Sequence, residues 1–300
     1  MIRVPSLQPL LLCLCLAACL FASPSQIQAQ FQTNVTLNKE TYLIYEGIEA
    51  TVTITNRSGA DVVMGGPRGG PWLGFNITDP RGHQGPTISM DGADPIIFKS
   101  GTTISRKVAI SKGYSFSEYG NYFIAATVYH APSQQYYSSN RARANFTGAK
   151  AFWEQSFGVP LGLPSAGQVR RYTLTSMRDI DRTYLYVRLL DDRSGANIST
   201  FSLGSAIMVT DPQVTVDREN KMHVLFMTVP RIYSHVVIDS QGKIFRRNYH
   251  RETDAERPQL AVQTDGNIVV SGGYPYDPAI EAEQEKVNRG RSIGEKPPGL

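Results

Sequence analysis

The chain has 300 residues, of which 41% are hydrophobic and 19% are charged, and it contains 15 Tyr and 12 Phe. This composition provides enough apolar surface for a buried core and excludes a wholly disordered chain. The formal net charge of +4 at pH 7 is too small to indicate nucleic-acid binding, so we predict no nucleic-acid partner. The length allows one large or two ordinary domains, and we favour two.

Residues 1–29 have the pattern of a cleaved export signal peptide. Arg3 gives a short positive start, the run from Leu10 to Ala22 is apolar, and the polar segment that follows ends at the small residue Ala29. The apolar run is too short to span a bilayer comfortably, and no later run is long enough, so we predict no transmembrane segment. The pattern predicts an exported protein of the periplasm or the exterior.

The three cysteines all lie in this signal, at positions 13, 15 and 19. Cleavage after Ala29 would leave a mature chain without a thiol, which excludes disulfides, cysteine metal sites and a cysteine nucleophile. The alternative is that Leu16-Ala17-Ala18-Cys19 is a bacterial lipobox, in which case Cys19 carries a lipid and anchors the protein to the envelope. The residues after Cys19 continue the apolar run instead of opening a polar tether, which favours cleavage after Ala29.

Residues 30–148 contain short segments with apolar side chains at every second position, separated by Gly, Pro, Asn and Asp. This pattern predicts strands joined by turns. The predicted strands include Ala50–Asn56, Gly74–Thr78, Thr103–Ile110, Tyr122–Tyr129 and Ala142–Thr147. Because no helical pattern lies between them, we predict a β-sandwich.

The segment Glu118-Tyr119-Gly120-Asn121-Tyr122-Phe123-Ile124 resembles the start of strand F in immunoglobulin-like domains. The resemblance implies that Tyr122 is the corner tyrosine, with its hydroxyl bonded to the upstream backbone. It also implies that Ile124 replaces the disulfide cysteine and that Trp72 is the core tryptophan. A bacterial immunoglobulin-like module is the expected fold, and such modules carry no single function.

Two loops, residues 57–71 and 130–135, are expected at one end of this sandwich. Side chains beside them are candidates for stacking on a sugar ring or binding a peptide: Trp72, Tyr129, His130, Tyr136 and Tyr137. The alternative is that these are core and hairpin residues. The glycine-rich stretch 65–70 is not followed by a helical pattern, so it does not predict a phosphate loop.

Residues 149–168 are apolar for a linker, and we predict a packed connector in which Trp153 and Phe157 are buried. Residues 169–277 contain an internal repeat, in which Pro212–Val216 recurs as Pro258–Val262, and each is followed by a polar turn and a further strand. The repeat unit has about four strands and resembles the blades of bacterial β-propellers.

About two and a half copies of this repeat are present, whereas a closed propeller needs at least about four blades. We therefore predict a small stack of antiparallel sheets and exclude a closed monomeric propeller. The alternative is a homo-oligomer in which another subunit completes a larger ring. Residues 278–300 are predicted to form a disordered tail.

The common catalytic motifs are missing: there is no G-x-S-x-G elbow, no H-E-x-x-H, no Walker loop and no dinucleotide fingerprint. The spacing of His223, His235 and His250 does not select a metal site, so we predict no metal and no cofactor. The sequence therefore predicts an all-β, exported, non-catalytic binding or scaffold protein of the bacterial envelope or exterior, with a polysaccharide or an envelope protein as partner. The alternatives are a polysaccharide-active enzyme and an inhibitor or partner of a secreted protease.

Overall fold

The computed structural model describes residues 31–65, 71–90 and 95–281. The predicted signal with Cys19, most of the glycine-rich stretch and residues 282–300 lie outside the described residues. The described chain is all-β, in several sheets that are almost entirely antiparallel, as the sequence predicted. Within that part of the chain, no helix has the length and apolar character needed to cross a membrane.

The described residues of the first half form ten strands. They are β1 (Phe31–Leu37), β2 (Thr41–Leu43), β3 (Glu49–Asn56), β4 (Val62–Met64), β5 (Leu73–Thr78), β6 (Ile88–Met90), β7 (Ile96–Phe98), β8 (Thr103–Ala109), β9 (Gly120–His130) and β10 (Gln135–Thr147). Short 3-10 helices lie at Ile110–Lys112 and Ala131–Ser133.

Up to residue 281, where the described part of the chain ends, the second half forms eleven strands. They are β11 (Ala151–Gly158), β12 (Val169–Asp179), β13 (Arg182–Asp191), β14 (Asn197–Ala206), β15 (Gln213–Val216), β16 (Met222–Val229), β17 (Ile232–Ile238), β18 (Ile244–Arg251), β19 (Gln259–Val262), β20 (Ile268–Ser271) and β21 (Tyr274–Tyr276). One helical turn follows at 278–281.

The first half is a sandwich of two main sheets. A three-stranded sheet in the order β1-β3-β8 faces a five-stranded sheet in the order β2-β10-β9-β5-β6, and β4 pairs with β7 beside them. Alternate residues of each strand point inward, so Val52 and Ile54 of β3 meet Phe75, Ile77 and Ile124 of the larger sheet in one buried core. The predicted sandwich-like fold is confirmed.

Tyr122 occupies the corner that the sequence predicted. The backbone N–H of Glu118 donates a hydrogen bond to the Tyr122 hydroxyl at 3.0 Å, and the ring packs edge-on against Phe116 and Phe146. Ile124 is fully buried beside it. Trp72 is 5% exposed and belongs to the same core, as expected for the core tryptophan of the sandwich.

Two antiparallel sheets stack in the second half. The four-stranded sheet has the order β11-β12-β13-β14, and the five-stranded sheet has the order β15-β16-β17-β18-β21. Leu174, Leu185 and Val187 of the first sheet pack against Val224 and Val236 of the second. The two repeated hairpins are confirmed, since β15 pairs with β16 and β19 pairs with β20.

The segment interpreted as a connector contains a strand of the first of these sheets. Trp153 and Phe157 lie on β11, which pairs with β12 from Ala151 to Gly158, and both side chains pack into the core between the stacked sheets. The expected burial is confirmed for Phe157 and is partial for Trp153, and a strand contributes both instead of a loop. The edge position of β11 explains the difference, because only one of its neighbours is a strand and its alternation is weak.

The two halves contact each other through a small buried cluster that contains Leu43, Met177 and Tyr186. Beside it, the Lys39 ammonium forms an ion pair with Glu46, and the two side chains are 8% and 7% exposed. Lys39 Nζ also donates to the Tyr186 hydroxyl at 2.8 Å. Residues of the first half are therefore bonded directly to the outer face of sheet β11–β14.

Candidate binding surface

The outward side of the five-stranded sheet in the first half is a candidate binding surface, which we call the open sheet face. Along β9, Ile124 and Val128 point into the core, so Phe123, Thr127 and Tyr129 point outward. The open sheet face consists of these outward residues and their neighbours on β5 and β10, namely Asn76, Thr78, Tyr136, Arg141 and Arg143.

A pair of tyrosines marks one end of the open sheet face. Tyr129 and Tyr136 are directly opposite each other in the β9–β10 register, and their ring centroids lie 4.7 Å apart at an angle of 35°. Tyr136 is 70% exposed. The sheet therefore presents a broad aromatic surface to solvent at this end, held by a cross-strand pair.

Arginine and aromatic side chains mark the other end. The guanidinium carbon of Arg141 lies 5.1 Å from the centroid of the exposed Phe123 ring, and Arg141 Nη2 donates to Thr78 Oγ1 at 3.3 Å. Arg143 is directly opposite Phe123 in the register. An open cleft of about 680 Å³ adjoins this end, and the exposed ring of Tyr119 is part of its wall.

Small polar groups occupy the middle of the open sheet face. The Asn76 amide donates to Thr127 Oγ1 at 3.0 Å, and its oxygen accepts from Thr87 Oγ1 at 2.7 Å. Gly74 lies directly opposite Thr127, so β5 contributes no side chain at that position. Phe123 and Tyr129 are six positions apart on β9, which corresponds to about 20 Å at about 3.3 Å per residue.

The candidate residues named from the sequence are divided between the two sides of this sheet. Tyr129 and Tyr136 lie together on the open sheet face. Trp72 and the 6% exposed His130 are buried, and Tyr137 packs edge-on against the core residue Phe31 at 5.1 Å. Burial lowers the pKa of His130, whose Nδ1 lies 2.7 Å from Ser133 Oγ.

Sequence reasoning missed Tyr119, Phe123, Arg141 and Arg143 as members of this surface. Alternation along β9 and β10 was visible and indicated which residues share a side of each strand. It did not show that Arg141 lies over Phe123, because that contact depends on the cross-strand register. The register changes between Ser138 and Arg141, where the β9–β10 pairing contains a bulge.

A second polar cluster is buried in the other half of the protein. His223 of β16 and His235 of β17 lie on the side of their sheet that faces away from the core containing Val224 and Val236, and both are 3% exposed. The hairpin β19–β20 lies next to this sheet, since the backbone N–H of Leu260 donates to Gln213 Oε1 at 2.8 Å.

The histidines form a chain with one carboxylate. His223 Nε2 lies 3.1 Å from Asp217 Oδ2, and the ring centroids of His235 and His250 are 6.5 Å apart. Burial lowers the pKa of all three histidines, that of His235 to about 3. Among residues 31–65, 71–90 and 95–281, no group of three or more His, Cys, Asp or Glu side chains is placed to hold a metal ion.

Fold and surface together define an all-β, sandwich-like protein of several stacked sheets. No family model matches the chain, and no curated protein matches it. Among solved structures, the sporulation control protein Spo0M from Bacillus subtilis is similar over 56% of this chain and 83% of its own, with 10% identity and a TM-score of 0.29. A structural similarity this low does not support any inference about function.

Proposed function

We propose that this chain is an exported, non-catalytic binding protein of the bacterial envelope or exterior, and that it holds an extended polymer across the open sheet face. The observation that carries the proposal is the placement of two aromatic sites about 20 Å apart on one solvent-facing side of one strand. The export pattern of residues 1–29 supports the location.

A polysaccharide is the polymer that this surface fits best. Sugar rings present apolar C–H faces that pack on aromatic rings, while their hydroxyls need hydrogen-bonding groups nearby. The open sheet face supplies both, with Tyr129 and Tyr136 at one end and the exposed Thr87 and half-buried Asn76 side chains between the ends. A single small ligand would occupy one end only.

The rest of the chain fits the role of a rigid support. Lys39, Leu43 and Glu46 of the first half contact Tyr186 of the second through the buried ion pair and its apolar surroundings. A buried interface of this kind restrains the motion of one half against the other. We propose that the stacked sheets of the second half present the open sheet face at a fixed orientation to the envelope.

Co-sedimentation of the exported protein with insoluble polysaccharides tests this function. We expect the parent protein to sediment with the polymer. The double variant Tyr129→Ala/Tyr136→Ala should have an affinity that is lower by a factor of at least about ten. The control is Phe245→Ala, which removes a ring that is also exposed but lies on β18 of the second half. Thermal unfolding checks that all variants are folded.

Each result decides the proposal. Loss of binding in the tyrosine variant with retention in Phe245→Ala supports the open sheet face as the binding surface. Equal binding by the parent and the tyrosine variant would place the ligand elsewhere and overturn it. Absence of binding to every polysaccharide tried would overturn the choice of ligand class.

A further inference from the structure

We propose that the polymer is an acidic polysaccharide, whose negative groups bind to Arg141 and Arg143. This inference rests on the proposed function and adds the ligand's charge to it. The residues that carry it lie at the end of the open sheet face opposite to the tyrosine pair.

The two arginines are close together and one of them is held in place. Arg143 lies opposite Phe123 in the β9–β10 register, and Arg141 is the next outward residue on the same strand. Arg141 is fixed by its position over the Phe123 ring and by its bond to Thr78 Oγ1. A guanidinium that is already oriented loses little conformational entropy when an anion binds.

The positive charge of these arginines is not neutralised by the described residues. Neither Arg141 nor Arg143 forms an ion pair in the part of the chain that the structure describes. The nearby carboxylates are engaged elsewhere. Glu118 pairs with Arg81 at 3.0 Å, and Asp79 accepts hydrogen bonds from the backbone of its own turn.

An anion of suitable geometry would complete this end of the surface. The planar fork of a guanidinium matches the oxygens of a carboxylate or a phosphate, and such charge-assisted hydrogen bonds are stronger than neutral ones. A free anion would use the arginines alone. An acidic polysaccharide also supplies sugar rings for Tyr129 and Tyr136, about 20 Å away along the sheet.

Calorimetric titration with oligogalacturonate and with its methyl ester tests the inference, because the two ligands share sugar rings and differ in charge. We expect the acid to bind at least about tenfold more tightly than the ester. The variants Arg141→Gln and Arg143→Gln should each weaken binding of the acid about tenfold and leave binding of the ester unchanged. Arg106→Gln is the matched control, since Arg106 is an exposed arginine on β8 of the other sheet.

Two further measurements complete the test. Raising NaCl from about 50 mM to about 500 mM should weaken binding of the acid and not of the ester, because salt screens exposed charges. Titration with a phosphomannan distinguishes a phosphate-bearing polysaccharide from one that carries carboxylates. Binding of either acidic polymer that depends on both the arginines and the tyrosines supports the inference.

The outcomes separate this inference from the proposed function. Equal affinity for the acid and the ester, with loss in Tyr129→Ala/Tyr136→Ala, would overturn the acidic ligand and leave a polysaccharide-binding surface. Affinity for the acid that is unchanged in Arg141→Gln and Arg143→Gln would also overturn it. Failure of all these polymers to bind would overturn both.

Discussion

The Nδ1 atom of His223 lies 3.1 Å from the Nε2 atom of His235. One of these nitrogens must donate and the other accept, so the two imidazoles cannot both carry a charge in this arrangement. Burial lowers the pKa of both imidazoles and so favours the neutral pair. In that state, Nε2–H of His223 donates a hydrogen bond to Asp217 Oδ2, Nδ1 of His223 is the acceptor, and His235 Nε2 is the donor.

This pair predicts that the protein loses stability in mild acid. Burial lowers the pKa of His235 to about 3, whereas an unfolded histidine titrates near 6.5. The unfolded state thus binds more protons below about pH 6.5. As the pH is lowered, the free energy of unfolding decreases by up to about 1.4 kcal/mol per pH unit for this group. The loss begins near the unfolded pKa and continues until the pH reaches the folded one.

Urea unfolding between pH 7.5 and 4.5 measures this effect. The variant His235→Leu should show a shallower decline than the parent, because it removes the group that takes up the proton. His83→Gln is the control, since the His83 side chain is mostly exposed and belongs to the other half of the protein. A parent whose stability is flat across this range would contradict the prediction. Asp217, Arg246, Lys221 and His250 also act on the pair, so their contributions are included in the parent slope.

The buried ion pair between Lys39 and Glu46 predicts a large penalty when one partner is removed. Lys39 also lies over the rings of Tyr42 and Tyr186, and burial raises the pKa of Glu46 above its ordinary value. Lys39→Ala should cost about 3–5 kcal/mol, because it leaves a buried carboxylate without its cation. Chemical denaturation of the variant and the parent measures this difference.

An exposed ion pair provides the control for that experiment. Lys107 and Glu49 lie 3.8 Å apart with side chains that are mostly solvent-exposed. Lys107→Ala should change the free energy of unfolding by no more than about 1 kcal/mol. Similar costs for Lys39→Ala and Lys107→Ala would show that the buried pair does not contribute as described.

The corner tyrosine predicts a modest, specific loss of stability. Tyr122→Phe keeps the ring in the core but removes the acceptor of the Glu118 N–H. We expect a loss of about 1 kcal/mol in the free energy of unfolding. Tyr136→Phe, at an exposed hydroxyl, should lie within about 0.5 kcal/mol of the parent. Equal values for the two variants would argue against a role for the corner bond.

Two glycines with positive φ allow the cost of steric crowding to be distinguished from the cost of backbone strain. Gly242, in the turn between β17 and β18, has φ +77°, and a Cβ there would lie against Ser199 of β14. Gly59 has φ +80° and open space around it. Gly59→Ala should cost about 1–2 kcal/mol from its conformation alone. Gly242→Ala should cost at least about 1 kcal/mol more, because the side chains of Ser199 and Leu189 must shift to make room for the new Cβ. Melting temperatures of the two variants test the difference.

Much of the fold was predictable because it depends on local patterns. Alternation located β3, β5, β8, β9 and β10, and the polar turns located the repeated hairpins of the second half. Strand β11 was missed, since an edge strand with mixed exposure has little alternation. The tyrosine corner was visible because its partners lie within one short segment, Glu118–Tyr122.

The candidate site was less predictable than the fold. Tyr129 and Tyr136 were identified because they flank a tight turn, and a hairpin brings such residues together. Trp72, His130 and Tyr137 had the same kind of side chain but face the core. One residue of register decides between the two sides of a sheet, and residue type alone does not fix that register.

The sequence by itself determined that the protein is all-β, the approximate positions of several strands, and which residues share a side of each of those strands. The tertiary structure alone decided that Arg141 lies over Phe123, that His223 meets His235, and that Lys39 bonds to Tyr186 across 147 positions. The reason is physical. Strand alternation follows from backbone geometry within a few residues, whereas these contacts depend on sheet register and stacking, which the packing of the whole core selects.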